Sequence, residues 1–100
     1  MELLFEWDED KARANLRKHH VSFEEGRTIF GDPYQMTYPD PGHSDYEERH
    51  ISIGASARGR ILVVSHTERE MRIRLISCRR ATLVERREYE KTSFGAAGRH

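Results

Sequence analysis

His66-Thr67-Glu68-Arg69 is followed closely by Arg72, Arg74, Arg79 and Arg80, so one imidazole, one carboxylate and a row of guanidiniums fall within a short stretch. These residue types suffice to break a phosphodiester without a metal. A base takes the proton of a ribose 2′-hydroxyl, cations offset the charge developing on the phosphorane, and an acid protonates the leaving 5′-oxygen. Only RNA supplies that hydroxyl. Of the 17 Lys and Arg residues, 14 are Arg, whose planar fork suits phosphate or carboxylate better than the point charge of Lys. A plain exposed hairpin whose arginines cross-pair with Glu68 and Glu70 accounts for the same residues without chemistry. The pattern alone leaves both readings open.

Other chemistries find less support. There is no Gly-rich phosphate loop, no pair of cysteines and no glycine-serine-glycine nucleophile elbow, which argues against nucleotide hydrolysis and serine hydrolysis. Asp40, His43, Asp45, Glu47, Glu48 and His50 crowd one segment. No helical or strand spacing fixes their geometry, so they read as a solvated acidic loop, and no metal or cofactor is expected. The single cysteine, Cys78, lies in the apolar run Leu75-Ile76-Ser77-Cys78 and reads as a small buried residue. No apolar run reaches membrane-spanning length and no charged-then-apolar leader precedes Glu2, so the expectation is a soluble, cytoplasmic chain without a membrane partner.

The elements that must position these groups have to come from 100 residues, of which 36% are hydrophobic and 34% charged. That is room for one domain with a small core and a densely ionic surface. The formal charge of zero hides a division: residues 1–50 carry 6 Lys/Arg against 12 Asp/Glu, a net of −6, and residues 51–100 carry 11 against 5, a net of +6.

Leu3 to Trp7 reads as a strand ending at Asp8, an effective helix N-cap reinforced by Glu9 and Asp10 against the helix dipole. The helix that follows runs to about His19, with Ala12 and Leu16 as its buried stripe and Lys11, Asn15 and Lys18 as a polar one. Ser22-Phe23-Glu24-Glu25 fits a capping box, Glu25 reaching back, and opens a second helix to Phe30, stopped by Gly31-Asp32-Pro33. A brief strand at Tyr34 to Tyr38 gives way to the acidic loop. Arg49 to Ala55, Ile61 to Thr67 and Met71 to Cys78 then read as an antiparallel meander. Thr82-Leu83-Val84-Glu85 is a second capping box, opening a last helix to about Lys91. The expected domain is residues 1–91, and 92–100, with Gly95 and Gly98, read as a frayed flexible tail. With Arg69-Glu70 as the turn, Glu68, His66 and Val64 share one sheet face with Met71, Ile73 and Leu75. The other face carries Ser65, Thr67, Arg72, Arg74, Ile76 and Arg80 as a cationic concavity.

The runs FEWDEDKARANLRKHHVSFEE, YEERHISIG and HTEREMRIRLISCRRATLVERREYE, in that order, resemble the BrnT family of toxins from type II toxin–antitoxin modules over about Phe5 to Glu90. The resemblance implies an α+β, RelE-like ribonuclease fold: a small antiparallel sheet, two N-terminal helices packed on one face, and a C-terminal helix. It implies an endoribonuclease acting on RNA, neutralised by a BrnA-type antitoxin whose ribbon-helix-helix domain lets the complex bind operator DNA. On this reading Arg74 and Arg79 hold the scissile phosphate, and His66 or Glu68 takes the 2′-hydroxyl proton. Lys18, His19, Arg69, Arg72 and Arg80 line the RNA path. Family members usually have Gly at the position of His20, to end the first helix with a positive φ, and tend to have Ala at Gly26. The position of His66 is often Tyr in the family. A noncatalytic RNA- or DNA-binding module using the same arginines is the alternative, and a protein-interaction domain whose acidic half meets a basic partner is the third.

Overall fold

A computed structural model describes residues 3–40 and 48–97, with side chains as far as Ser93. In chain order the elements are β1 (Leu4–Glu6), α1 (Glu9–His19), α2 (Phe23–Gly26) with a 3₁₀ turn at Arg27–Gly31, β2 (Met36–Pro39), β3 (Arg49–Ala55), β4 (Ile61–Arg69), β5 (Arg72–Arg80) and α3 (Leu83–Ala97). The strands form one sheet in the order β1-β5-β4-β3-β2. β2 to β5 are antiparallel as expected, but β1 pairs parallel with β5, Leu4 opposite Arg72 and Glu6 opposite Arg74. The sheet is therefore mixed. Three residues of strand carry no mark of their partner, and a parallel edge needs the long crossover that the intervening chain supplies.

Local chemistry sets most of the boundaries. Asp8 caps α1, its carboxylate accepting from the Asp10 amide at 2.8 Å and the Lys11 amide at 3.1 Å. His20 ends the helix in the left-handed conformation, φ 59°, with its amide on Leu16 O at 2.9 Å. That is a conformation Gly adopts without strain, and His20 adopts it here. Ser22 caps α2 by accepting from the Glu25 amide at 3.0 Å. The Glu25 side chain does not reach back, because Arg60 and Ser56 take it instead. Thr82 and Glu85 form the complete reciprocal box, Glu85 N to Thr82 Oγ1 at 3.2 Å and Thr82 N to Glu85 Oε1 at 2.8 Å. From there α3 continues to Ala97, through most of the segment read as a tail, because Ala96 and Ala97 favour helix enough to carry it past Gly95.

α1, α2 and the 3₁₀ turn cover one face of the sheet. Val21, Phe23 and Ile29 pack there on Leu62, Val64, Ile73, Leu75 and Cys78, all buried; full burial of each large side chain contributes about 1.5–3 kcal/mol. Asn15 is not on a polar surface stripe but buried, its amide donating to Val21 O at 3.0 Å and Cys78 O at 2.8 Å and accepting from Cys78 N at 3.1 Å. This side chain staples α1 to β5. Leu16, expected inside, is 50% exposed, since the turn of the helix that carries Asn15 inward carries Leu16 out. A Cβ at Gly26 would meet Cys78 Sγ at 2.8 Å, so the glycine is the steric complement of the cysteine. Burial pushes the Cys78 thiol up to about 12, leaving it inert. On the other face α3 seats Tyr89 against Ile53 and Val63. The Tyr89 hydroxyl donates to Asp32.

The β4–β5 hairpin turns at Glu70 and Met71, not at Arg69-Glu70: Arg69 pairs with Arg72 and Glu68 with Ile73. The register moves by two residues relative to the expectation, so His66 and Glu68 keep their face. Further along it breaks, His66 facing Leu75 but Ser65 facing Ser77, which leaves Ile76 as a bulge. Beyond the bulge the parity reverses. Arg79 stands opposite Val63, on the face of Arg74, and Arg80 opposite Leu62, on the other.

Candidate active site

The turn end of the β4–β5 hairpin carries a cleft of about 620 Å³ lined by Glu6, Glu48, Thr67, Glu68, Arg69, Glu70, Arg72 and Arg74. β5 supplies Arg72 and Arg74 at alternate positions on one face, β4 supplies Thr67 opposite Arg74 and Arg69 opposite Arg72, and β1 lays Glu6 beside Arg74. All three arginines are exposed. Arg72 meets Glu6 only at 3.5 Å, and Arg69 and Arg74 form no ion pair with any described residue. Two like charges placed directly opposite each other are destabilising. An anion between them converts that repulsion into attraction, which is the electrostatic requirement of a phosphate site.

Glu68 lines the edge of this cleft from the opposite face of the sheet to the three arginines, the face it shares with His66, with its side chain 46% exposed. His66, two residues away on the same face, is completely buried beneath Phe30 and beside His50, with ring centroids at 5.0 and 5.8 Å. Burial pushes the imidazole down to about 4, with a smaller contribution from His50. Of the two candidates for the base, the fold presents Glu68 and withholds His66. A ring enclosed by Phe30 and the sheet does not reach a ribose.

The remaining predicted residues are not gathered here. Arg79 is held in a two-point fork by Glu85, Nη1 to Oε1 at 2.8 Å and Nη2 to Oε2 at 2.9 Å, and does not line the cleft. The Arg79 side chain pulls the Glu85 carboxyl down to about 2, against the effect of burial. The guanidinium expected to hold a phosphate already holds a carboxylate. Arg80, turned by the bulge, lies with Arg60, Arg86 and Glu90 around a separate depression. Lys18 and His19 sit one turn beyond Asn15, which is bonded to Cys78, so they belong to the Arg80 end of β5 on the helix-covered side. The single cationic track drawn from Lys18 through Arg80 is thus divided between two ends and two faces. Three of the six residues of the acidic cluster, His43, Asp45 and Glu47, lie outside the described residues; among the described ones no three His, Cys, Asp or Glu side chains converge as a metal site. Thr67 lies on the face of Arg72 and Arg74 as expected, whereas Glu6 enters the cleft unannounced by the sequence, because only the parallel pairing of β1 brings it to Arg74. Among the described residues no helix is long and apolar enough to cross a membrane.

The fold is similar to that of the Brucella abortus ribonuclease toxin BrnT in its 1.1 Å crystal structure, with a TM-score of 0.56 and 24% identity over 82% of this chain and 97% of that one. At that identity the likeness is one of fold. No curated protein matches the chain. The family model that describes BrnT, the ribonuclease toxin of type II toxin–antitoxin systems, matches residues 7–85, a span running from Trp7 through every strand of the cleft but β1 to Glu85, and the chain belongs to that family.

Proposed function

We propose that this chain is a RelE-like endoribonuclease that cleaves RNA without a metal in the cleft at the turn of the β4–β5 hairpin. The observation that carries this is the pairing of Arg69 with Arg72 beside Arg74, none of them held in a close carboxylate fork, in a cleft whose edge the half-exposed Glu68 reaches from the other sheet face at the end of β4. Glu68 takes the proton of a ribose 2′-hydroxyl, the 2′-oxygen forms its bond to phosphorus, and the bond to the 5′-oxygen breaks, the leaving oxygen taking a proton from solvent. Arg74 and Arg72 neutralise charge on the phosphorane, and Arg69 holds the neighbouring backbone. The products are a 2′,3′-cyclic phosphate and a 5′-hydroxyl. Cleavage in EDTA, end-group analysis and a 2′-O-methyl block at the cut site test this reading. Loss of cleavage in EDTA with restoration by a divalent ion sinks it.

The same surface is the part a type II antitoxin has most reason to cover. We infer that a BrnA-type antitoxin lays acidic residues over Arg69, Arg72 and Arg74, and that operator DNA is bound through its ribbon-helix-helix domain. Occlusion needs no rearrangement of the toxin. Reversing Arg72 and Arg74 to Glu weakens the complex if this is so; unchanged association means that the antitoxin grips elsewhere. A noncatalytic RNA-binding module differs in one readout, since it shifts RNA in a gel without cutting it.

A further inference from the structure

Behind the cleft, β2, β3 and β4 bring together a line of polar side chains that the cleavage chemistry leaves unused. Thr37 Oγ1 lies 2.7 Å from Ser52 Oγ, and Ser52 Oγ lies 2.8 Å from His66 Nε2. Ser52 and His66 are both 0% exposed. The imidazole, lowered by its burial, is neutral near pH 7 and has a single N–H to place. Its second nitrogen, Nδ1, is buried without a hydrogen-bond partner. The group it faces is Glu68 Oε1, at 3.7 Å.

A bare lone pair on Nδ1 would be repelled by that carboxylate, whereas an N–H there is attracted. The carboxylate therefore selects the Nδ1–H tautomer. Nε2 is then the acceptor for the Ser52 hydroxyl, and Ser52 Oγ accepts from Thr37. Phe30, edge-on to the ring, and His50, stacked on it, keep the imidazole from turning away. A buried N–H left without a partner is costly, so the core alone gives no reason to aim one at the rim.

From this juxtaposition we propose that His66, oriented by Ser52 and Thr37, is a positioning residue that holds the Glu68 carboxylate at the edge of the cleft, from the sheet face opposite the arginines, through its Nδ1–H. The 3.7 Å gap closes to a hydrogen bond when RNA is bound, as such contacts tighten on substrate binding. One carboxylate oxygen is then fixed by the imidazole and the other is left to receive the proton. His66 never touches RNA. The inference rests on Glu68 being the base.

The test is steady-state cleavage of a short RNA by the full chain carrying His66→Asn, His66→Gln, Ser52→Ala or Glu68→Gln. An Asn amide stands where Nδ1 stands, and a Gln amide where Nε2 stands. His66→Gln should lower kcat roughly tenfold with KM within about twofold, the signature of lost orientation at the reacting group. His66→Asn should recover most of that loss, and Ser52→Ala should fall between wild type and His66→Gln. Equal losses for Asn and Gln that track the folded fraction by circular dichroism overturn the proposal and reduce His66 to packing. A Glu68→Gln variant with wild-type kcat removes Glu68 as the base and this inference with it. Full activity of His66→Gln beside an inactive Glu68→Gln removes the inference alone. Should the His66 variants not fold, imidazole ¹⁵N shifts of the wild-type protein decide the matter: protonation at Nδ1 supports the proposal, and protonation at Nε2 overturns it.

Discussion

At the turn end of the β4–β5 hairpin, Arg69, Arg72 and Arg74 face an open cleft, Arg69 directly across from Arg72 and, of the three, only Arg72 in an ion pair with a described carboxylate, Glu6 at 3.5 Å. At the other end Arg60 and Arg79 each sit in a carboxylate fork, Arg60 on Glu25 and Arg79 on Glu85. The residue type is the same and the consequences are opposite. Glu25, its side chain only 5% exposed, is held well below the usual carboxylate range, first by the Arg60 guanidinium and then by the Ser56 hydroxyl, against its burial. The fork ties α2 to the turn between β3 and β4, and the Glu85 fork ties α3 to β5. Arginines with a buried carboxylate hold the fold together; arginines set against each other at a surface await an anion.

The largest effect should come from breaking the most buried fork. Arg60→Ala leaves the buried Glu25 carboxylate with the Ser56 hydroxyl and only the looser Arg58 guanidinium, at 3.6 Å, and should cost stability at the lower end of about 3–5 kcal/mol in urea unfolding. The activity of the folded fraction should be unchanged. Next, Arg74→Ala should lower kcat by about two orders of magnitude, the usual loss for one donor to a developing anion, with the thermal midpoint unmoved. Arg79→Ala should do the reverse, lowering the midpoint while kcat of the folded protein stays within about threefold. A hundredfold loss of kcat in Arg79→Ala would erase the distinction between the two ends.

A further expectation is a pH dependence at the paired end. Glu85 is brought from its ordinary 4.5 to about 2 by Arg79. Because the folded value lies below the unfolded one, the stabilisation is complete above about pH 4.5 and is lost as pH falls towards 2. The stability difference between wild type and Glu85→Gln should therefore shrink in melts taken between those limits. The smallest effect sharpens the comparison from the turn end. Arg69→Ser removes the repulsion across the hairpin and should raise stability by about 0.2–1 kcal/mol at low salt while weakening RNA binding. A loss of stability would mean that Arg69 is already satisfied.

Much of this was written in the chain. Asp8, Ser22 and the Thr82–Glu85 box mark helix starts because a capping side chain must lie within three residues of the amides it serves. Alternation placed β3, β4 and β5 and put His66 and Glu68 on one face, since strand geometry has period two whatever the partner. The matches to the BrnT family likewise lie in the residue order. What the chain could not state is anything that depends on one register step or on contacts between distant segments. A one-residue bulge at Ile76 moved Arg79 to the cleft face and Arg80 off it. Glu85 then claimed Arg79, and no local pattern distinguishes a helix cap that also holds a guanidinium from one that does not. The hydroxyls that fix His66 come from β2 and β3, and the carboxylate beside Arg74 comes from β1. Capping and alternation are set by neighbours in sequence, so the sequence determines them. Which arginine is paired and which imidazole is buried depend on groups far apart along the chain, and only their packing in three dimensions decides it.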